Sequence, residues 1–496
     1  MSGTPGAGDV LAPSRLEPCD ALVLFGISGD LARKMLLPAL YRLTESGKLT
    51  VPVVGVAAGD WDDDALRRHA RAAVAAEVPD LDEEVFARLA SRLSVVTGDF
   101  TDDATFARLR DAVSGLGFLV HYLAIPPDLF TTVAAALARA GLHRNARLVV
   151  EKPFGHDRAS AERLQADLGA HFDEGHLLRV DHFLGSEPVE GLMVSRFANT
   201  LLAPIWNRSY VRNVQISLVE DFDVAGRGSF YDPVGCLRDV VQNHLLQVLA
   251  FLAMEPPDVA DARAQGLEKW RVLHATRTID PADTVRGQYE GYPDVPGVRP
   301  GSTTETYFAA RVFIDNWRWA DVPFYLRSGK ALAVSATEVV VELRKPPLEL
   351  FRGEGAESPP NLIRFRLDGD TGIRIDLLVR KPEEGRDPFP VPIGVDFARV
   401  LGRQELPYEN ILDGAITGRT EYFAFFPAVL ESWRIVGRVL DPADPPERYA
   451  RGSWGPAAAA RLAGPAGWHD PAPRLFDDVA PDERRPRSPG THRGHH

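Results

Sequence analysis

Over the first 150 residues, short apolar runs alternate with stretches whose apolar residues recur at helical spacing. The runs "ALVLFG", "VPVVGVA", "LSVVTGDF", "FLVHYLA" and "ARLVVEKP" read as strands. Between them, "LARKMLLPALYRLTESG", "DDALRRHARAAVAAE", "DDATFARLRDAVSGL" and "DLFTTVAAALARAG" read as amphipathic helices. The strands are apolar throughout, as expected where helices cover both faces. Repeated strand–helix units predict a parallel, doubly wound α/β sheet.

Past about residue 185 the rhythm changes. "VRNVQISLVED", "TYFAARVFIDN", "TEVVVELRK" and "IRFRLDGDTGIRIDLLVR" alternate apolar and polar positions. They predict a large, mostly antiparallel sheet with helices on one face. "RDVVQNHLLQVLAFLAM" reads as a long helix, and the change of rhythm falls near "RVDHFLG". The expected organisation is a disordered start over 1–18, a dinucleotide-binding domain over 19–184, an α+β domain over 185–475 and a disordered tail over 476–496.

Composition narrows the functions. The chain has 496 residues, 45% hydrophobic and 25% charged, which fits two or three ordinary globular domains. A net charge of -13 argues against sequence-independent nucleic-acid binding, but anionic substrates still fit local basic pockets. Cys19 and Cys236 allow one bridge at most, and no Cys/His cluster has metal-ligand spacing. No metal is expected, and a reducing, cytoplasmic setting is. There is no basic-then-apolar leader and no apolar run near the roughly 20 residues of a membrane span.

The first strand ends in G-x-x-G-x-x-A, at Gly26, Gly29 and Ala32. A tight turn through Ser28 and Gly29 leads to a helix from about Asp30 and Leu31. Glycine lets the backbone turn sharply and approach a pyrophosphate, and the helix N-terminus offers N–H groups and partial positive charge. The same spacing also serves a strand–helix turn with no ligand. The second strand ends Ala57-Ala58-Gly59-Asp60, where an acidic residue suits a free ribose 2′-hydroxyl and an Arg suits a 2′-phosphate. No Arg is present, and Asp60 reads equally as the N-cap of the next helix.

In the 238–252 helix, the polar residues Asp239, Asn243, His244 and Gln247 gather on one arc of an otherwise apolar surface. A substrate cleft would partner them; a histidine satisfied inside the core is the alternative. Lys152 follows the apolar "LVVE" at the carboxyl end of a strand, the edge where ligands bind open α/β sheets.

Eight stretches together resemble the glucose-6-phosphate dehydrogenase family. They are "GISGDLARK" at Gly26, "YLAIPP" at Tyr122, "VEKPFGHD" at Val150, "RVDHFLG" at Arg179, "IWNRSYV" at Ile205, "RDVVQNHLLQ" at Arg238, "VPFYLRSGKAL" at Val322 and "RGSWGP" at Arg451. The resemblance implies a Rossmann domain joined to an antiparallel α+β domain, with dimers or tetramers formed through the large sheet. It implies oxidation of glucose 6-phosphate at C1 to the 6-phosphogluconolactone with NADP or NAD, the opening step of the oxidative pentose phosphate pathway.

Residue by residue, the resemblance implies His244 as the base, Asp181 as the carboxylate paired with it, and Lys152 on the sugar beside the nicotinamide. A cis bond to Pro153 would aim Lys152. His182 and Lys330 fall towards the substrate's phosphate, and Asp239 falls in the substrate pocket. Gly26, Ser28, Gly29, Asp30, Leu31, Ala58 and Tyr122 fall on the cofactor side.

The family pattern also breaks. In "DHFLGSE", Phe183 and Ser186 stand where the family has Tyr and Lys. Ala225 replaces a Glu before Gly226-Arg227, no basic residue closely follows Lys330, and Ala58 stands where NADP-preferring members carry Arg. Either Arg208, Arg212 or Arg227 restores the phosphate site, or the enzyme acts on another hexose. A non-catalytic nucleotide-sensing partner is a third reading, but it needs neither Asp181 nor His244.

Overall fold

Strands β1 (Ala21–Phe25), β2 (Val53–Ala57), β3 (Leu93–Thr97), β4 (Leu119–Leu123), β5 (Ala146–Glu151) and β6 (Leu177–Val180) form one sheet in the order β3-β2-β1-β4-β5-β6. Every pairing in it is parallel. This computed structural model describes residues 16–348, 350–351, 358–380, 388–441, 444–464 and 466–476. Most of the two ends expected to be disordered therefore lies outside the described residues.

All five residues of β1 are fully buried, because helices pack on both faces of the sheet. β3 departs from the expected all-apolar burial: Ser94, Val95 and Thr97 are partly exposed, since β3 is an edge strand. The strand order reverses between β1 and β4, which opens a crevice at the carboxyl ends of the strands. The next helix, Asp63–Glu77, is capped by Asp62, which accepts from Ala65 N at 2.7 Å. Asp62 therefore takes the capping role that Asp60 was a candidate for.

The second sheet has nine strands. They are β7 (Val211–Val219), β8 (Thr284–Tyr289), β9 (Tyr307–Val312), β10 (Phe324–Gly329), β11 (Ala336–Leu343), β12 (Leu362–Arg366), β13 (Gly372–Arg380), β14 (Pro388–Asp396) and β15 (Glu447–Tyr449). Their order is β14-β13-β12-β11-β7-β10-β9-β8-β15. Pairings are antiparallel except β7 with β10 and β8 with β15. β14 carries Pro388, Pro390 and Pro392, which an edge strand tolerates because it has no ladder to complete on its outer side.

The long helix predicted around His244 spans Leu237–Ala253 and packs on this sheet. Leu237, Val241, Leu245 and Leu249 share a core with Ile216 of β7, Phe308 of β9 and Leu326 of β10. Past Arg212, the polar positions Asn213, Gln215 and Ser217 of β7 are buried too, unlike those of a half-solvated strand. Gln215 Nε2 donates to Gly467 O at 3.1 Å, and Ser217 Oγ accepts from Arg327 Nε at 3.0 Å. The Arg327 guanidinium lies over the rings of Trp454 and Trp468. The C-terminal segment thus covers the second face.

The helix Pro407–Thr417 joins the first sheet's core, where Ile411, Leu412 and Ala415 pack with Leu36 and Leu40. Cys19 N donates to Ile416 O at 2.9 Å, and Ala424 N to Arg179 O at 2.8 Å. Among the described residues, no helix is long and apolar enough to cross a membrane.

Gly26 has φ +77, and a Cβ there would lie 2.3 Å from the Ala124 carbonyl oxygen. Gly26→Ala should therefore lose at least about 1–2 kcal/mol of stability from the left-handed backbone alone. Gly29 has no positive φ and its nearest neighbour would be at 3.1 Å, so Gly29→Ala should lose less. Chemical denaturation of the two variants measures this; equal stability would refute the assignment.

Candidate active site

Three elements converge on one buried cluster. The first-sheet strand β5 ends at Glu151 and delivers Lys152, whose bond to Pro153 is cis as expected. β6 ends at Val180 and delivers Asp181 and His182. The helix on the second sheet brings Asp239 and His244.

His244 Nδ1 lies 2.7 Å from Asp181 Oδ1, with both residues buried. Its other nitrogen, Nε2, lies 3.0 Å from Lys152 Nζ. The ammonium also donates to Asp239 O at 3.0 Å and Asp239 Oδ1 at 3.3 Å. An ammonium has no acceptor, so Nε2 carries the lone pair and Nδ1 carries the proton given to Asp181.

The spacing of Asp239 and His244 has a local cause. Residues Leu237–Leu245 are π-helical, with i→i+5 hydrogen bonding. That winding brings residues five apart towards one side, so a single lysine meets both. The expected polar arc assumed α-helical spacing and grouped Asn243 and Gln247 with them. Gln247 is instead buried, and Asn243 Nδ2 donates back to Arg238 O at 3.3 Å.

Burial sets the electrostatics. Desolvation lowers the His244 pKa, and the Asp181 carboxylate only partly offsets it. Burial would raise Asp181, but His244, His182 and Lys152 outweigh it and hold the carboxyl well below its usual range. Asp239 is likewise opposed by burial and held low by Lys152 and Lys330. His182 is lowered to about 3 by burial, with His244 and Lys152 adding to it. Its ring sits edge-on to His244, with centroids 4.6 Å apart.

Phe183, marked in the sequence only by a missing hydroxyl, stacks on His244 at 4.3 Å and 23°. Ligand atoms of Asp181, His182 and His244 lie within 4.8 Å of one another. A cation there would have to displace the Lys152 ammonium from Nε2, so the cluster fits proton chemistry better than metal binding.

Lys330 reaches the same region from the end of β10. It pairs with Glu220, at the end of β7, and lies 5.2 Å over the Phe222 ring. Ser186 precedes the helix Glu187–Phe197 and its side chain makes no capping hydrogen bond to it. Arg208 lies over Trp317, and Arg212 pairs with Glu342 at 2.8 Å. Both sit at the start of β7, the opposite end of the strand from Glu220, which removes them as phosphate ligands beside Lys330. Arg227 is exposed, its guanidinium over Phe230, in the loop that follows Glu220.

On the cofactor side, Gly26 N donates to Val56 O and Gly29 N to Gly26 O, both at 2.9 Å. The chain turns through Ser28 and Gly29, and the helix starts at Asp30 and Leu31. Ala58 is exposed just past β2, on the same edge of the sheet. The first-turn N–H groups of that helix fit the pyrophosphate of a dinucleotide, while the place of a Gly26 Cβ is taken by the Ala124 carbonyl oxygen.

Tyr122 corrects the expectation of a cofactor contact. It is fully buried, and its hydroxyl donates to Glu151 at 2.6 Å, so the ring presents no surface to a ligand. Glu151 itself escaped notice, although an acidic residue closing an apolar strand was a legible signal. Burial pushes its carboxyl up to about 7, against the pull of Tyr122 and Lys152. A surface cavity of about 710 Å³ bounded by Glu255, Arg263, Leu267 and Trp317 shares no residue with this site.

Comparison with known proteins matches residues 23–191 to the model of the glucose-6-phosphate dehydrogenase NAD binding domain, and residues 193–469 to that of its C-terminal domain. The chain belongs to the glucose-6-phosphate dehydrogenase family. It is 45% identical to glucose-6-phosphate 1-dehydrogenase 1 of Mycobacterium tuberculosis, over 91% of this chain and 96% of that one. It is 38% identical to glucose-6-phosphate 1-dehydrogenase of Mycolicibacterium smegmatis, over 92% and 98%. The crystal structure of the Mycobacterium avium enzyme superposes with a TM-score of 0.86 at 46% identity, over 92% and 99%. A glucose-6-phosphate dehydrogenase in complex with its substrate glucose-6-phosphate superposes at 0.85 with 29% identity, over 93% and 100%.

The depressed His182 pKa predicts an acid sensitivity. An unfolded imidazole titrates near 6.5, so between about pH 7 and about pH 5 the unfolded chain takes up a proton that the folded site refuses. Stability therefore falls with pH in that window. His182→Phe should lose less stability across it than wild type, by denaturant midpoints at the two ends; an unchanged loss would show that His182 contributes nothing.

Proposed function

We propose that this protein oxidises D-glucose 6-phosphate at C1 to 6-phospho-D-glucono-1,5-lactone with NAD or NADP, the first step of the oxidative pentose phosphate pathway. The observation that carries this reading is His244 held between Asp181 and Lys152 at the carboxyl edge of the dinucleotide-binding sheet. The names of the relatives support it independently.

The chemistry follows from the hydrogen bonds. Nδ1–H is committed to Asp181, so Nε2 carries the lone pair, which accepts the proton of the sugar's O1 hydroxyl once the sugar takes the place of the Lys152 ammonium on it. Burial keeps His244 neutral before that transfer, and the Asp181 carboxylate stabilises the imidazolium after it. Lys152 lies beside Nε2, where its ammonium steadies the negative charge developing on O1. Asp239 holds that ammonium in place and offers a carboxylate oxygen to a sugar hydroxyl. Gly26, Ser28, Gly29, Asp30 and Leu31 would seat the dinucleotide's phosphates, and Ala58 would lie beside its ribose. The bound nicotinamide supplies the acceptor for the hydride leaving C1.

Association into homodimers or homotetramers through the large sheet is part of this proposal. On β13 and β14, Leu377, Val379, Ile393 and Val395 are each at least 41% exposed on one continuous apolar face. The free, buried cysteines fit a reducing, cytoplasmic setting.

Wild-type protein should turn over glucose 6-phosphate with at least one of the two cofactors, read by nicotinamide absorbance. His244→Asn should lower kcat by about 10²–10⁴-fold. Because burial lowers the His244 pKa, the acid limb of kcat/KM should lie below the usual histidine range. Unchanged turnover in His244→Asn would defeat the base assignment.

A further inference from the structure

Side chains enter the hydrogen-bond ladder of the helix where it carries Asp239 and His244. Asp239 O accepts from Lys152 Nζ at 3.0 Å, Arg238 O accepts from Asn243 Nδ2 at 3.3 Å, and His244 N donates to Asn243 Oδ1 at 2.6 Å. Such insertions loosen a helix, so the placing of this segment depends on what grips its start.

That grip is a buried glutamate of the second sheet. Glu305, just ahead of β9, is 7% exposed. Its backbone oxygen accepts from Cys236 N at 3.0 Å, and its Oε1 accepts from Leu237 N at 3.0 Å. Both donors belong to the first turn, whose N–H groups have no partner within the helix. A carboxylate there also meets the positive end of the helix dipole. Oε2 accepts from Arg286 Nη2 of β8 at 3.1 Å, so the side chain is held at both oxygens. Gly235 lies against it with φ +77 excluded and +72 adopted, and a Cβ there would be 2.6 Å from Oε1. Asp239 follows Leu237 in the same turn.

The next residue extends the clamp. Thr306 N donates to Gly287 O at 2.8 Å, and Thr306 O accepts from Lys330 N at 2.9 Å. Consecutive residues thus tie the start of the Asp239 helix and the end of β10 to one point of the sheet. Lys152 comes from the other sheet and meets both Asp239 and His244 Nε2.

We propose that Glu305 is a positioning residue, which by holding Leu237 N sets where Asp239 and His244 stand relative to Lys152. The proposal rests on the C1-oxidation reading of His244. What Glu305 supplies is reach rather than charge. Glutamine keeps an oxygen at the same reach, whereas aspartate keeps the charge but is one methylene short.

The test measures kcat for glucose 6-phosphate, and KM for the dinucleotide, in Glu305→Ala, Glu305→Asp and Glu305→Gln. The denaturation curve of each variant gives its folded fraction, and kcat is taken per folded molecule. Glu305→Ala and Glu305→Asp should lower kcat about ten- to hundredfold, because a small displacement of reacting groups is costly. Glu305→Gln should stay within about threefold of wild type, since the bond to Leu237 is kept. KM for the dinucleotide should change by less than about twofold, because its cradle lies in the other sheet. If Glu305→Ala does not fold, the aspartate and glutamine variants decide. Wild-type kcat in Glu305→Asp or in Glu305→Ala would overturn this proposal alone and leave Glu305 a purely structural cap. So would a loss in Glu305→Gln as large as that in Glu305→Asp. No turnover by wild type would overturn the C1-oxidation reading, and this proposal with it.

Discussion

The contact between His244 and Asp181 is the constraint on which the rest of the structure depends. The carboxylate follows the last strand of the parallel sheet, and the imidazole rides on a helix belonging to the other sheet. A 2.7 Å hydrogen bond between two buried groups tolerates little relative movement of those sheets. The Pro407–Thr417 helix, packed into the parallel sheet's core, and the Ala424–Arg179 hydrogen bond hold the two parts in that position. Without such support, a carboxylate this deeply buried would be costly to keep ionised.

Charge compensation extends the same logic outward. Lys152 bridges the histidine and Asp239, and Lys330 beyond it is matched by Glu220. Each cation is brought by one element and its carboxylate by another. Removing one member would leave an unpaired buried charge, so the row behaves as a unit rather than as separate contacts.

Two parts of the site were legible in the residues. The glycine-bearing turn after an apolar strand was readable, because backbone conformation there depends on local sequence and on the missing Cβ of Gly26. The motif set "VEKPFG", "RVDHFLG" and "RDVVQNHLLQ" marked Lys152, Asp181 and His244 as a group, although they are separated by up to 92 positions. Tyr122 was misread because a motif position says nothing of which way a ring points inside a fully buried strand. The second sheet's core strands were recognised from alternation, yet the burial of Gln215 and Ser217 was not, because their cover comes from residues near the C-terminus.

The sequence by itself determined the succession of elements and the glycine-bearing turn, and its motif strings singled out His244, Asp181 and Lys152. These depend on short-range periodicity and on motifs that survive as contiguous strings. Only the tertiary structure decided that Glu220 holds Lys330, that Phe183 lies flat against His244, and that Arg208 and Arg212 are at the wrong end of their strand. Those relations come from strand order, parallel register and helix winding, which bring distant residues together and leave no periodic trace in the chain.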